Sequence, residues 1–143
     1  MVKKFFLIIT VFLLTLNISN AYAIRDDYKF DGNYIEDYAN LFDDNIEREK
    51  NNYFNSLSNQ YNVPVYIYTV NESHSYTSRE LSDELLYQRV GIDKNGILLL
   101  IDMYNSEIYI TASGDYAIKI MDDSRQEELI DVIAPMIRSK PNQ

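Results

Sequence analysis

Two stretches of this chain, Val63 to Val70 and Ile97 to Ile101, are apolar at nearly every position. Runs of this length rich in β-branched residues read as strands buried on both faces, and therefore central in a sheet. Pro64 falls near the start of the first, where a missing N–H is tolerated. Between them Leu81, Leu85, Leu86 and Val90 recur at helical spacing. Thr77 and Glu80 have the spacing of a capping box, and Gly91 supplies a stop. The pattern predicts a helix over 78–90. Strand, helix and strand of these lengths predict a right-handed crossover with the two strands parallel. A turn near Tyr104-Asn105-Ser106 then returns the chain as a third strand, Glu107 to Ala112, which is antiparallel to the second because the connection is a hairpin. Ser113-Gly114-Asp115 breaks it.

The flanks are helical. Tyr34 to Phe42 is a short apolar segment with acidic punctuation, after which Asp43 or Asp44 caps a helix predicted over 44–62. Ile46, Tyr53, Phe54, Leu57 and Tyr61 fall on one side of it. Downstream, Asp122 or Asp123 caps a helix predicted over 123–139, and Asp123 with Gln126 has the spacing of a variant capping box. Leu129, Ile133, Met136 and Ile137 make a narrow apolar stripe with Ile130 and Val132 beside it, and Pro135 predicts a kink. Together the elements predict a single-domain α/β fold: a mixed sheet, with a parallel βαβ unit plus an antiparallel hairpin, and helices on both faces.

One apolar run fits neither period. Lys3 and Lys4 precede an apolar run from Phe5 to Leu16, followed by polar Asn17, Ser19 and Asn20 and then Ala21-Tyr22-Ala23. A charged start, an apolar centre and a small-x-small site form the layout of a secretory signal peptide, and the run falls short of the ~20 apolar residues of a membrane span. The expected organisation is a signal peptide at 1–23, a flexible polar lead-in at 24–33 and a domain over 34–143, the alternative being an uncleaved anchor. The expected location is secreted, or at the extracytoplasmic face of a bacterial membrane. Cleavage leaves about 120 residues, enough for one core.

Charge narrows the functional classes. The chain has a formal net charge of −9, and losing Lys3 and Lys4 brings it to about −11. Nucleic acid and direct adsorption to anionic lipid both require basic patches, so both are excluded as expected partners. With no cysteine there is no disulfide, thiol nucleophile, lipidated cysteine or cysteine metal site. Thirteen tyrosines supply much of the apolar area and suit half-buried strands.

Candidate chemistry is sparse. The single histidine, His74, sits between Ser73 and Ser75. It reads as a general base beside a serine nucleophile or as an exposed loop histidine, and the second is preferred because no orienting carboxylate is implied. Asp37, Asp93, Asp102, Asp115, Asp122 and Asp123 lie near predicted element ends, where loops gather oxygen ligands, but none follows a calcium-loop pattern. Gly91, Gly96 and Gly114 are isolated turn glycines, not a phosphate-cradling loop.

Four segments carry a resemblance. Asp37-Tyr38-Ala39-Asn40-Leu41-Phe42, Asn95-Gly96-Ile97-Leu98-Leu99-Leu100, Ile108-Tyr109-Ile110-Thr111-Ala112-Ser113-Gly114 and Ile133-Ala134-Pro135 occur in an order and at spacings that resemble the TPM-domain family, in its bacterial secreted branch. That family is named for a thylakoid lumen protein, a photosystem II repair protein and a modulator of levamisole-sensitive receptors. The resemblance covers about residues 34–140. It implies an α/β sandwich on the outer side of a membrane, with roles in repair or assembly of membrane complexes. It also implies calcium binding by acidic loops or, as for the plant member, acid phosphatase activity.

This chain departs from the family pattern in two loops. Lys94-Asn95-Gly96 stands where the family has Asp-Asn-Gly, and Asn105-Ser106 where it has an acidic turn. If a metal binds, the expected ligands are Asp37, Asn95, Asn105 and Asp122. The expected cofactor is at most weakly held calcium, in the ~10⁻⁴–10⁻³ M range of extracellular modules. The family usually continues past the Pro-containing helix into one further helix, so the resemblance also predicts a domain without that final helix. The expected function is an extracytoplasmic accessory module that binds a membrane protein or membrane complex. The alternative is a divalent-cation-assisted acid phosphatase, and a third reading is a truncated remnant.

Overall fold

A computed structural model describes residues 32–138 of the chain. The predicted signal peptide, most of the lead-in and the last residue of the predicted final helix lie outside the described residues. The elements run β1 (Ile35–Asp37), α1 (Asp44–Tyr61), β2 (Val65–Val70), α2 (Ser78–Val90), β3 (Gly96–Asp102), β4 (Glu107–Ser113), α3 (Asp115–Ile120) and α4 (Asp123–Arg138). The sheet order is β1-β2-β3-β4. β1, β2 and β3 are parallel, and β4 returns antiparallel to β3. The two doubly apolar runs are the two central strands, as their pattern requires.

Register divides the core into two layers. Tyr66 pairs with Leu98 and Tyr68 with Leu100, so these side chains share one face of the sheet. Together with Val70 they enclose Leu81, Leu85 and Leu86 of α2, all 0–1% exposed. A buried leucine stabilises the fold by about 1.5–3 kcal/mol relative to an exposed one, so these three residues anchor α2. The opposite layer joins Val63, Ile97 and Ile110 to Ala117 of α3, with Ile130 of α4 resting against it. Local signals set the helix ends as read. Asp43 caps α1 by accepting from Asn45 N, and the full Thr77–Glu80 capping box opens α2.

Four expectations are corrected. Residues 115–120 form α3 where the sequence reads only a break. The N–H groups of Tyr116 and Ala117 in its first turn donate to Asn95 Oδ1, some twenty positions upstream, at 3.2 and 3.3 Å. Gly114 permits that approach: its φ is 81°, and a Cβ there would meet Asn95. The apolar segment after Tyr34 is a strand, β1, held by parallel pairing to β2 and by Asn51 of α1, whose Oδ1 accepts from the N–H groups of Tyr34 and Ile35. The variant capping box of α4 does not form. Asp122 Oδ1 accepts from Arg125 N, and Gln126 Nε2 turns instead to Met121 O.

The fourth correction concerns which helical faces are covered. Ile46, Tyr53 and Tyr61 on the apolar side of α1 are exposed, and α1 buries no residue fully. Along α4 the residue on the core is Ile130, whereas Leu129, Val132 and Met136 are exposed. Helical spacing sets the phase of an apolar stripe, and the tertiary placement of the helix decides how deeply it is buried.

Candidate functional site

Ligands of open α/β sheets bind outside the carboxyl ends of the strands, because loops and helix starts converge there. In this chain that end carries two aspartates, each the last residue of its strand. Asp37 ends β1. One of its carboxylate oxygens accepts from Thr69 Oγ1 and the other from Phe42 N at 2.6 Å. Thr69 Oγ1 in turn accepts from Ala39 N. These bonds fold residues 38–42 back over the strand end, with Asn40 in the left-handed region at φ 53°. The resulting open cleft of about 500 Å³ is lined by Asn40 to Asn45 and by Arg48. Behind it, partial burial and then the negative charges of Asp37 and Asp44 hold the Glu47 carboxyl above its ordinary range.

Asp102 ends β3 and is buried, with four donors around it. Ser78 Oγ donates to Oδ2 at 2.8 Å, His74 Nε2 lies 3.0 Å from the same oxygen, Asn105 N donates to Oδ1 at 3.0 Å and Asn105 Nδ2 to Oδ2 at 2.9 Å. Burial opposes ionisation of Asp102 most strongly. The Asn105 and Ser78 hydrogen bonds and the His74 bond and charge together outweigh it, leaving the carboxyl below its ordinary range. The His74 ring also meets Tyr104, centroids 5.6 Å apart. Asp102 thus ties together the loop after β2, the first residue of α2 and the β3–β4 turn.

This corrects the reading of His74 as an exposed loop histidine. Its side chain is 1% exposed and has the orienting carboxylate that the sequence did not imply. The arrangement is not a serine–histidine relay. Ser78 and His74 both address the same carboxylate oxygen, so the histidine is not placed to take the serine proton.

The four candidate cation ligands do not converge. Asp37 and Asn105 lie at the carboxyl end of the parallel strands, with β2 between their strands. Asn95 precedes the first residue of β3, at the opposite end of a seven-residue strand and therefore roughly 20 Å away. Its amide oxygen caps α3. Asp122 is engaged with Arg125 N at the start of α4. Among the described residues, no three His, Asp or Glu side chains gather as a metal-binding group.

One domain family matches most of the chain: the TPM domain profile matches residues 35–142. The chain belongs to the TPM-domain family. A solution NMR structure of the N-terminal domain of a protein from P. gingivalis shares the fold of this TPM domain at a TM-score of 0.65 and 16% identity, covering 75% of this chain and 70% of that one. No curated protein matches the chain significantly.

Sequence reasoning missed the Ser78–Asp102–His74 cluster of this TPM domain. One signal pointed toward it: Asp102 closes an otherwise apolar run, Gly96 to Asp102, that is central and buried. A carboxylate there requires buried donors. The sequence does not say that His74 and Ser78 supply them, because they lie more than twenty residues away.

Proposed function

We infer that this TPM domain is an extracytoplasmic accessory module that binds a membrane protein or membrane complex. The observation that carries the reading is the apolar face of α4. Leu129, Val132 and Met136 are 37%, 58% and 65% exposed and succeed one another at helical spacing. Apolar side chains aligned in this way favour coverage by a partner surface. The leader-like residues 1–23 and the family membership support the extracytoplasmic setting. Acidic Glu128 borders the stripe at helical spacing, which suits a partner with a basic group beside an apolar centre. Calcium, if it binds, joins through Asp37 or Asn105 at the carboxyl end of the strands, and a ligand set this small gives weak affinity.

The test is co-purification of the full chain from its native membrane fraction, beside Val132→Asp. The reading expects a defined membrane protein to be retained by the wild type and lost with Val132→Asp at an unchanged melting temperature. Equal recovery by both chains, or none by either, would count against it.

A second reading, the cation-assisted acid phosphatase, is favoured by one feature: Arg48 on the wall of the acidic cleft, where a phosphate would find a charged donor. Hydrolysis of a chromogenic phosphate ester with calcium, magnesium or chelator separates the two. Metal-dependent turnover lost in both Asp37→Ala and Arg48→Ala would replace the binding reading with the enzymatic one.

A further inference from the structure

The two edges of the sheet are treated differently. At β1, Asn51 reaches the outer strand and accepts from the N–H groups of Ile35, its first residue, and of Tyr34 just before it. At the other edge, β4 runs seven residues. None of the backbone bonds outside the helices and strands of the described residues involves positions 107–113. The outward N–H and C=O groups of β4 therefore form an open ladder. Natural sheets blunt such an edge with lysine, proline, a bulge or a covering element. Glu107-Ile108-Tyr109-Ile110-Thr111-Ala112-Ser113 contains no lysine or proline, its charge is confined to one end, and it pairs with β3 without a bulge.

We propose that β4 is a self-association edge, and that its occupant is β4 of a second copy of this chain, paired antiparallel across a two-fold axis at Ile110. Register selects this occupant. With Ile110 opposite Ile110, the full strand overlaps: Glu107 faces Ser113, Ile108 faces Ala112 and Tyr109 faces Thr111. The single charge meets a hydroxyl and not its own copy, and the aromatic meets a β-branched residue, a favourable cross-strand pair. Facing residues also belong to the same layer. Ile108, Ile110 and Ala112 pair with Ile101, Leu99 and Ile97 on the α3 side, while Tyr109 and Thr111 pair with Leu100 and Leu98 on the α2 side. A shift by one residue would set one layer against the other. An isologous edge satisfies both ladders at once and closes, giving one continuous eight-stranded sheet and no open filament. α2 packs over β3 and β4, and two strand spacings separate the two α2 helices by about 10 Å, a normal helix-packing distance.

The opposing force is charge. Each chain carries −9, so the association strengthens as salt rises and the Debye length falls to about 8 Å at physiological ionic strength.

Sedimentation of the full chain across concentration and salt gives the first readout. A reversible dimer that tightens with salt is expected, and Ile108→Lys weakens it by roughly tenfold or more. The second readout does not depend on that variant. The chain has no cysteine, so Ile108→Cys and Ala112→Cys can be made separately, mixed and treated with a short bis-maleimide. The register predicts a 108–112 crosslinked dimer in the mixture and little from either variant alone. A monomer at the highest soluble concentration would overturn the proposal. So would a dimer that crosslinks equally well in every pairing, or one unaffected by Ile108→Lys and uncrosslinked at β4. Association of β4 with a foreign extended peptide, without self-association, would assign the edge to another occupant and likewise reject the second copy.

Discussion

Helices α1 and α2 make an instructive pair. α1 is longer, with 18 residues against 13, and its apolar positions are segregated more sharply around the helix than those of α2. Yet α2 fully buries Ser78, Leu81, Ser82, Leu85 and Leu86, and α1 fully buries nothing. The difference lies in connection, not pattern. α2 bridges two central parallel strands and is tied down at its first residue by the Ser78–Asp102 bond. α1 connects the three-residue edge strand β1 to β2 and hydrogen-bonds to the start of β1 through Asn51. Amphipathicity reports that a helix has a face to bury, and topology decides whether the domain itself buries it. Among the described residues the apolar side chains Ile46, Tyr53 and Tyr61 of α1 and Leu129, Val132 and Met136 of α4 accordingly stay exposed.

The largest effect expected from this contrast is at the anchor of α2. Asp102→Ala strands the buried Ser78 and His74 donors and releases Asn105, and loss of one member of a buried pair costs about 3–5 kcal/mol. Urea unfolding should show a midpoint far below wild type. If the midpoint hardly moves, Asp102 does not hold the α2 end in place.

The same carboxylate sets a pH dependence. Its folded pKa is depressed, so its stabilisation is complete above the unfolded value of about 3.9 and disappears as pH falls through the lower folded value. Wild-type stability should therefore drop on acidification below about pH 4, and Asp102→Asn, with no carboxylate to protonate, should flatten that part of the profile. An unchanged acid limb in Asp102→Asn would assign acid lability to other carboxylates.

Next in size is a matched pair of core and face truncations. Leu85→Ala in α2 should cost about 2–5 kcal/mol. Tyr53→Ala in α1, where Tyr53 is 56% exposed, should stay within about 0.5 kcal/mol. Similar losses in the two variants would mean that α1 is more deeply packed than the contrast allows. A smaller loss than that of Leu85→Ala lies at the helix start: Thr77→Ala removes the capping box of α2 and should cost about 1 kcal/mol. Thermal melts resolve that difference, and a loss comparable to Leu85→Ala would show that the cap, and not the leucines, secures the helix.

The sequence displayed whatever its local chemistry decides. The doubly apolar runs marked β2 and β3 as central, Thr77 and Glu80 opened α2, Gly91 closed it, and the Asn105–Ser106 turn made β4 antiparallel. What stayed hidden depends on distant partners. α3 exists because Asn95 caps it across the sheet end, and β1 because β2 and Asn51 pair with it. The buried Asp102 cluster needs a histidine from one loop and a serine from the next helix, each polar enough to read as surface. The candidate cation ligands follow from the positions and loops that the family resemblance marks, and Asn95 lies at the far end of β3 from Asn105. The apolar pattern gave the fold and position near element ends picked out Asp37 and Asp102, whereas the exposure of the α4 stripe became visible only once Ile130 was seen to take the core.

The central claim is that the uncovered α4 face is where this domain meets its membrane partner. Site-specific photo-crosslinking tests it most directly. A photoreactive residue is placed singly at Val132, at Met136 and, for comparison, at exposed Asn71 in the β2–α2 loop, with the full chain in its native membrane fraction. The account predicts one discrete membrane-protein adduct from positions 132 and 136 and none from 71. Equal adducts at all three positions, or an adduct only from 71, would contradict it.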